Sequence, residues 1–235
     1  MLQTIIQLTS ITKMKNHPDY FNAKSGDTNA AYKLVNDIIQ GEKQQIKILK
    51  LAADYPDAIL VGVHAQEAYG INKIPETMAQ LIHKATGLKI DANIVQSVKV
   101  MRTNSNSFYR LANRPKFSGE IQSGSQYILI DDVITCGGTL SELRCFIESN
   151  GGIVVQMLTL SASKFSTNIN LSEKTKFKLM GKYDIMNLRS ILKEFDIYGG
   201  NERYITESEA RILTSARTIN AARDRIAQAR QIRYT

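Results

Sequence analysis

Short apolar runs alternate with amphipathic stretches through the middle of the chain. Nearly unbroken apolar runs, typical of strands covered on both faces, occur at residues 58–63, 127–130 and 153–160. We predict a further strand at 92–101. Helical periodicity predicts a helix with Pro75 in its first turn and Gly87 at its end, and another helix over residues 140–149. This alternation predicts an α/β fold with a doubly wound, mostly parallel sheet.

Both ends of the chain have helical patterns. Asp27 is a predicted N-cap for a helix that begins at residue 28, and a second helical stretch follows it. After residue 161 the pattern predicts a Lys-rich stretch and two helices, the last of which opens with Thr206 and Glu209 in capping-box spacing and runs through Ile226. The predicted segments are an N-terminal helical segment at 1–56, a core at 57–163 and a basic, mostly helical C-terminal extension at 164–235.

Residues 102–124 show no sustained period, so we predict a long loop there. The loop is basic, with cations at Arg102, Arg110, Arg114 and Lys116. Long connections without secondary structure are uncommon in compact domains and often serve as lids or binding loops. We therefore treat this segment as a candidate lid.

Composition narrows the classes of protein and ligand. The 43% hydrophobic and 22% charged residues are typical of a globular chain and argue against a disordered one. No window approaches the roughly 18 uninterrupted apolar residues of a membrane span, and the two cysteines, Cys136 and Cys145, have no zinc-type spacing. We expect a reduced, cytoplasmic protein with no signal peptide and no membrane partner. The net charge of +8 favours anionic ligands, whether phosphates, nucleotides or nucleic acid.

The strongest local signal is the segment YILIDDVITCGGTL at residues 127–140. An apolar strand ends in Asp131 and Asp132, and the chain then passes through Gly137 and Gly138 into a helix that begins near Thr139. Glycine amides and a helix N-terminus together form a cradle for a phosphate monoester. Carboxylates one loop away can accept hydrogen bonds from vicinal sugar hydroxyls or hold magnesium. The segment therefore predicts a ribose 5-phosphate site. No Lys follows the last glycine, as a Walker A loop requires, and no GxGxxG fingerprint follows any strand.

This segment resembles the phosphoribosyl pyrophosphate (PRPP) signature of the type I phosphoribosyltransferases. In that family an apolar strand is followed by an acidic pair, two variable residues and Thr-x-Gly-x-Thr. The surrounding order of elements is also similar: a strand that ends in a pyrophosphate-binding loop, a helix, a strand and a long mobile loop. The resemblance covers roughly residues 57–163.

The resemblance implies a magnesium-dependent transferase that moves the 5-phosphoribosyl group of PRPP to a nitrogen acceptor such as a nucleobase and releases pyrophosphate. Asp131 and Asp132 would hold the ribose hydroxyls and magnesium. The residues implied to wrap the 5-phosphate are Thr135, Cys136, Gly137, Gly138 and Thr139. Those implied to lie along the pyrophosphate are Gln66, Glu67, Ala68 and Tyr69. Family members often have a basic residue in that loop, whereas this chain has none before Lys73. Charge on the leaving group would then be stabilised by magnesium and by lid cations, for which we select Arg102 and Arg110.

Several alternatives stay open at this point. Family enzymes for 6-oxopurines usually have a carboxylate where this chain has Thr135, which leaves orotate-like, adenine-like and other acceptors. A non-catalytic regulator that binds PRPP or a nucleotide would have the same signature. A nucleic-acid partner is compatible with the arginine-rich C-terminus but is not favoured, because acidic residues interrupt the basic run and no aromatic stacking platform accompanies it. A homodimer is common in the family.

Overall fold

The computed structural model describes residues 4–63, 66–67, 70–98, 100, 106–163 and 169–232. Its strands are β1 (Ile6–Gln7), β2 (Ile59–Gly62), β3 (Gln66–Glu67), β4 (Gly70–Ile71), β5 (Lys89–Ile90), β6 (Val95–Gln96), β7 (Phe117–Ser118), β8 (Gln126–Ile134) and β9 (Ile153–Ala162). Five of them form one parallel sheet in the order β1-β9-β8-β2-β5. The short pairs β3-β4 and β6-β7 are antiparallel and lie outside that sheet.

Helices surround the sheet and extend beyond it. They are α1 (Ile11–Lys15), α2 (Tyr20–Lys24), α3 (Thr28–Ile39), α4 (Glu42–Asp54), α5 (Ile74–Thr86), α6 (Ser107–Ala112), α7 (Gly138–Ser149), α8 (Glu173–Lys182), α9 (Ile185–Glu194), α10 (Glu207–Ser215) and α11 (Ile219–Gln231). Short 3-10 turns at Tyr198–Gly200 and Glu202–Tyr204 precede α10. Among the described residues, no helix combines the length and the apolar character needed to cross a bilayer.

The sheet is covered on both faces. Successive residues of a strand point to opposite faces, so Ile128 and Ile130 of β8 pack in the core formed with α3, α4 and α5. Tyr127 and Leu129 pack in a second core that contains residues of α7. The predicted α/β class with a doubly wound parallel sheet is therefore confirmed. A third core joins α6 to α8, α9, α10 and α11.

Several predicted boundaries are confirmed. Asp27 Oδ1 accepts from the backbone N–H of Ala30 (2.9 Å) at the start of α3, and Gly87 ends α5 in a left-handed conformation at φ +76°. Thr206 and Glu209 form the predicted capping box of α10. The predicted segment boundaries at residues 56 and 163 stay a prediction. Contacts cross the first of them: β1 pairs with β9, and the first core combines residues from both sides of residue 56.

The strand predicted at 92–101 is wrong as a member of the main sheet over its described residues; residues 99 and 101 lie outside them. The sheet strand that pairs with β2 is β5, directly after the turn at Gly87, and β6 pairs outside the sheet with β7. In this run Ile94 is buried in the second core, whereas Val95 and Val98 are 38% and 45% exposed. Apolar character alone does not show which residues are covered.

Two further predictions need correction: the loop over residues 102–124 and the number of helices after residue 161. The segment 102–124 contains α6 and β7. Helix α6 is too short for its periodicity to be detected in the sequence, and it is stabilised by the packing of Leu111 and Ala112 in the third core. After residue 161, where two helices were predicted, the described residues form four: α8, α9, α10 and α11. The last helix divides because Ala216 leaves the helical conformation and Thr218 caps α11 separately, by accepting from the backbone N–H of Ala221 (3.1 Å).

Candidate functional site

The acidic pair lies within β8 rather than after it. Asp131 and Asp132 are 8% and 5% exposed. Asp131 Oδ1 accepts from the backbone N–H of Asp132 (2.9 Å), and Asp132 Oδ1 accepts from the backbone N–H of Val133 (2.7 Å). Asp132 Oδ2 is buried and has no hydrogen-bond partner among the described residues. A buried carboxylate oxygen in this state lacks the hydrogen-bond donors that would stabilise its charge.

Burial raises the pKa of Asp131 well above its usual range, and the neighbouring charge of Asp132 raises it further. Two adjacent carboxylates away from water cannot both ionise without cost. The ligand-free pair therefore holds its negative charge at a cost in stability, which a bound cation or a set of hydroxyl donors would reduce.

Lys24 lies beside the acidic pair and is a candidate site residue that the sequence analysis missed. It ends α2, and its Nζ lies 3.5 Å from Asp132 Oδ2, within ion-pair range, with 28% of the side chain exposed. No spacing signal could have found it, because the chain separation between the two residues is large and only tertiary packing brings α2 to β8. The N-terminal segment thus contributes a positive charge beside the acidic pair.

The loop from Thr135 to α7 has the geometry of an anion cradle. Gly137 is the N-cap of α7 in a left-handed conformation (φ +77°), where a side chain would be strained, and no side chain caps this helix. The first amides of a helix have no intrahelical acceptor and lie at the positive end of its dipole. A Cβ atom on Gly138 would lie 2.7 Å from Glu209 Oε1 and 2.8 Å from Arg114 Nη1. Glycine is needed here for close packing as well as for the turn.

The C-terminal extension packs against this loop and forms hydrogen bonds with it and with α7. Thr206 Oγ1 donates to the backbone carbonyl of Cys136 (2.6 Å), and Ser141 of α7 donates to the carbonyl of Tyr204. Ile169 also lies against Gly137, since a Cβ there would be 3.6 Å from its Cγ1. No sequence pattern indicated that residues after 163 contact the candidate phosphate loop.

A buried cluster of charged and polar groups joins the loop to the extension. Arg114 Nε donates to Glu142 Oε1 (2.9 Å), its Nη1 pairs with Glu209, and its Nη2 donates to the carbonyl of Gly138 (3.2 Å). Burial raises the pKa of Tyr198 well above its usual range, so its hydroxyl keeps the proton and donates to Glu209 Oε2 (2.6 Å). Only 1% of the Arg114 side chain is exposed. Arg114 is among the candidate lid cations of the sequence analysis, but its guanidinium is buried and paired with Glu142 and Glu209.

The remaining lid cations have different surroundings. Arg110 Nη1 donates to Thr135 Oγ1 (2.6 Å), which places this arginine at the start of the loop. Lys116 Nζ pairs with Asp196 Oδ2 (2.9 Å) on the C-terminal extension instead. Arg102 lies outside the described residues.

The candidate pyrophosphate loop is described in part. The backbone of Gln66 and Glu67 forms β3, which pairs with β4, whereas their side chains and the whole of Ala68 and Tyr69 lie outside the described residues. Gly70 packs so closely on the carbonyl of Ser25 that no side chain fits there. The described end of this loop therefore contacts the turn that follows Lys24.

Several arginines of the C-terminal extension are engaged within the fold. Arg211 pairs with Glu207 (2.9 Å), Arg223 with Glu194 (2.9 Å), and Arg230 donates to the carbonyl of Phe195. These contacts give the basic run a structural role and weaken the argument for a nucleic-acid surface.

Three comparisons with curated proteins gave partial matches. The chain is 37% identical over 227 residues to protein TraN of Escherichia coli, covering 96% of this chain and 49% of TraN. It is 38% identical over 132 residues to an uncharacterized protein of Haemophilus influenzae, covering 56% of this chain and 29% of that protein. Orotate phosphoribosyltransferase of Campylobacter jejuni is 35% identical over 81 residues, which is 34% of this chain and 39% of that enzyme. The chain thus spans about half the length of TraN and less than a third of the Haemophilus protein.

No family model matches the chain. Among solved structures, an adenine phosphoribosyltransferase is 14% identical with a TM-score of 0.39, covering 59% of this chain and 73% of that structure. The orotate phosphoribosyltransferase of Aeropyrum pernix is 13% identical with a TM-score of 0.30, covering 59% of this chain and 78% of that structure.

Proposed function

We propose that this chain binds PRPP and transfers its 5-phosphoribosyl group to a nitrogen acceptor with release of pyrophosphate. The observation that carries the proposal is the buried Asp132 Oδ2, which accepts no hydrogen bond from a described residue and lies 3.5 Å from Lys24 Nζ, on the strand that leads into the glycine-bounded N-terminus of α7. Carboxylates suit the vicinal hydroxyls of a ribose, and the helix N-terminus suits its 5-phosphate. Five residues separate Asp132 from the first residue of α7, and the last three of them form the loop between β8 and α7.

The roles follow from the chemistry of each group. Asp131 and Asp132 accept hydrogen bonds from the ribose hydroxyls and so fix the sugar. Backbone amides and hydroxyls of the loop from Thr135 to Thr139 hold the 5-phosphate. The family resemblance assigns Gln66 to Tyr69 to the pyrophosphate and Arg102 to the leaving group; Ala68, Tyr69 and Arg102 lie outside the described residues. Holding the sugar at both ends keeps its C1 atom aligned with the acceptor, which lowers the entropic part of the barrier.

The residues present fit a magnesium ion. No cluster of three or more His, Cys, Asp or Glu side chains among the described residues is arranged to hold a metal. Magnesium is commonly held by one or two carboxylates together with substrate oxygens and water. The acidic pair, in which Asp132 Oδ2 accepts no hydrogen bond from a described residue, supplies that number of protein ligands. When bound, the ion neutralises charge on the pyrophosphate as it leaves.

The reaction exchanges one bond at C1 for another. The C1–O bond to pyrophosphate breaks with its electron pair on the leaving oxygen, and the acceptor nitrogen forms the new C1–N bond. The proton that the acceptor loses passes to the departing pyrophosphate or to water. The matched segment of orotate phosphoribosyltransferase and the presence of Thr135 in place of a carboxylate favour an acceptor other than a 6-oxopurine. The acceptor class is therefore tested with orotate and adenine first.

The test is isothermal titration of PRPP with Mg²⁺ into the wild-type chain and into an Asp131→Asn/Asp132→Asn variant. Asp57→Asn, an exposed carboxylate in the turn before β2, serves as the matched control. We expect binding in the wild type and the control and none in the double variant. Pyrophosphate release is then measured with a nucleobase panel. Absence of PRPP binding in the folded wild type contradicts the proposal.

A second candidate is a protein of the same fold that binds PRPP or a nucleotide without turnover and regulates another process. It is favoured by the absence of Lys and Arg between residues 64 and 72, and by the direct contact of the C-terminal extension with the phosphate loop through Thr206. PRPP binding that depends on Asp131 and Asp132, with no pyrophosphate release for any base in the panel, selects this candidate over the enzyme.

A further inference from the structure

The position of Arg110 differs from that of a cation on a moving lid. Its Nη1 lies 2.6 Å from Thr135 Oγ1, the first residue of the loop that leads to α7. The guanidinium of arginine is planar and has five N–H donors, so it can donate to a hydroxyl and to a phosphate oxygen at the same time. Because Thr135 Oγ1 accepts from Arg110, its own hydrogen points elsewhere and can be donated to a ligand in the loop.

Helix α6, which carries Arg110, is fixed to the rest of the protein. Leu111 and Ala112 are each 2% exposed and belong to the third core. Asn113 Nδ2 donates to the carbonyl of Ala229 in α11 (3.3 Å). The buried Arg114 then ties the end of this segment to α7 and α10. A cation on an element packed this way is held in position before a ligand arrives. Such preorganisation favours binding of a ligand group that occupies one defined position.

From this geometry we infer that Arg110 is the charged ligand of the 5-phosphate and the residue that orients the Thr135 hydroxyl toward it. This inference rests on the proposed function and changes one assignment within it, since the sequence analysis had placed Arg110 at the leaving pyrophosphate. Thr135 and the N-terminus of α7 lie on one side of the acidic pair along the chain, and Arg110 contacts that side. The positive charge, the hydroxyl and the helix amides together match a dianionic phosphate monoester.

The experiment compares two probes on the full 235-residue chain. Ribose 5-phosphate carries the phosphate that Arg110 is inferred to hold, and pyrophosphate carries the group that leaves. Binding of each is measured by isothermal titration to the wild type, Arg110→Gln, Arg110→Lys and the control Arg223→Gln, which removes an exposed positive charge from α11.

We expect Arg110→Gln to weaken ribose 5-phosphate binding about 10- to 100-fold, the loss typical of one charge-assisted contact. Arg110→Lys should recover part of that loss because it keeps the charge without the planar fork. Pyrophosphate affinity should change by less than about threefold in every variant, and Arg223→Gln should match the wild type for both probes.

The opposite pattern overturns the inference: a loss of pyrophosphate affinity in Arg110→Gln with ribose 5-phosphate affinity unchanged assigns the residue to the leaving group. Equal affinity of wild type and Arg110→Gln for both probes overturns it as well. Failure of the folded wild type to bind ribose 5-phosphate overturns the proposed function itself, so the two failures are distinguishable.

Discussion

Replacing Arg114 with Met tests whether charge holds the phosphate loop to the C-terminal extension. Met keeps much of the aliphatic volume but removes both ion pairs, the hydrogen bond to Gly138 and the stacking of the guanidinium on Tyr198, whose ring centre lies 4.2 Å away. Breaking a buried ion pair by removing one partner costs about 3–5 kcal/mol, because the remaining charge stays buried. Glu142 and Glu209 would both be left without their cation. We expect a loss of this size in the free energy of unfolding.

The assay is urea unfolding followed by circular dichroism. With an m-value of about 3 kcal/mol/M, the expected loss lowers the unfolding midpoint by about 1–1.7 M. A triple variant, Arg114→Met/Glu142→Gln/Glu209→Gln, removes all three charges, and we expect it to be more stable than Arg114→Met alone because no uncompensated charge remains. Arg223→Met breaks an exposed pair with Glu194 and should change stability by less than about 1 kcal/mol.

Two results would refute this reasoning. If Arg114→Met costs no more than the exposed control Arg223→Met, the cluster contributes little through charge. If the triple variant is less stable than Arg114→Met, the carboxylates of Glu142 and Glu209 contribute through hydrogen bonds and packing rather than through their pairing with the guanidinium.

Three further predictions concern the site. Since burial and a neighbouring charge raise the pKa of Asp131, the folded protein binds more protons than the unfolded chain above about pH 4 and loses stability as the pH rises from there; Asp131→Asn should therefore stabilise the ligand-free protein, by an increment that grows with pH in urea titrations. Burial raises the pKa of the Cys145 thiol to about 11, so a thiol reagent at pH 8 should modify the partly exposed Cys136 in the native protein and Cys145 only after unfolding. Thr206→Val should lower the free energy of unfolding by about 1–2 kcal/mol through the lost helix cap, and it should also weaken ribose 5-phosphate binding because Thr206 contacts the phosphate loop. Thr218 only caps α11, so Thr218→Val should lower stability without changing ribose 5-phosphate binding.

Each of these has an outcome that contradicts it. A lower stability of Asp131→Asn at pH 7 than at pH 4, relative to wild type, would reverse the expected sign. Rapid native labelling of Cys145 would show that its surroundings open readily. Equal ribose 5-phosphate affinities of the two threonine variants would show that the contact of Thr206 with Cys136 does not affect phosphate binding by the loop.

The α/β class and the central strands could be predicted from the sequence because they depend on local properties. Apolar runs long enough to be covered on both faces identify β2, β8 and β9, and caps such as Asp27 and Gly87 mark helix ends through local hydrogen bonds and backbone conformation. The acidic pair and the glycines were found for the same reason. They are neighbours in the chain, so their spacing alone indicates a common site.

What only the tertiary structure decided involves groups that are far apart in the chain. Lys24 reaches Asp132, Thr206 reaches the carbonyl of Cys136, and Arg110 reaches Thr135. Nothing in the local sequence distinguishes Arg114, which is buried in ion pairs, from Arg110, which lies at the loop, because both are basic residues of one segment without long-range periodicity. Burial and pairing of a charge depend on what packs against it, and that is fixed only when α6, α7 and α10 come together.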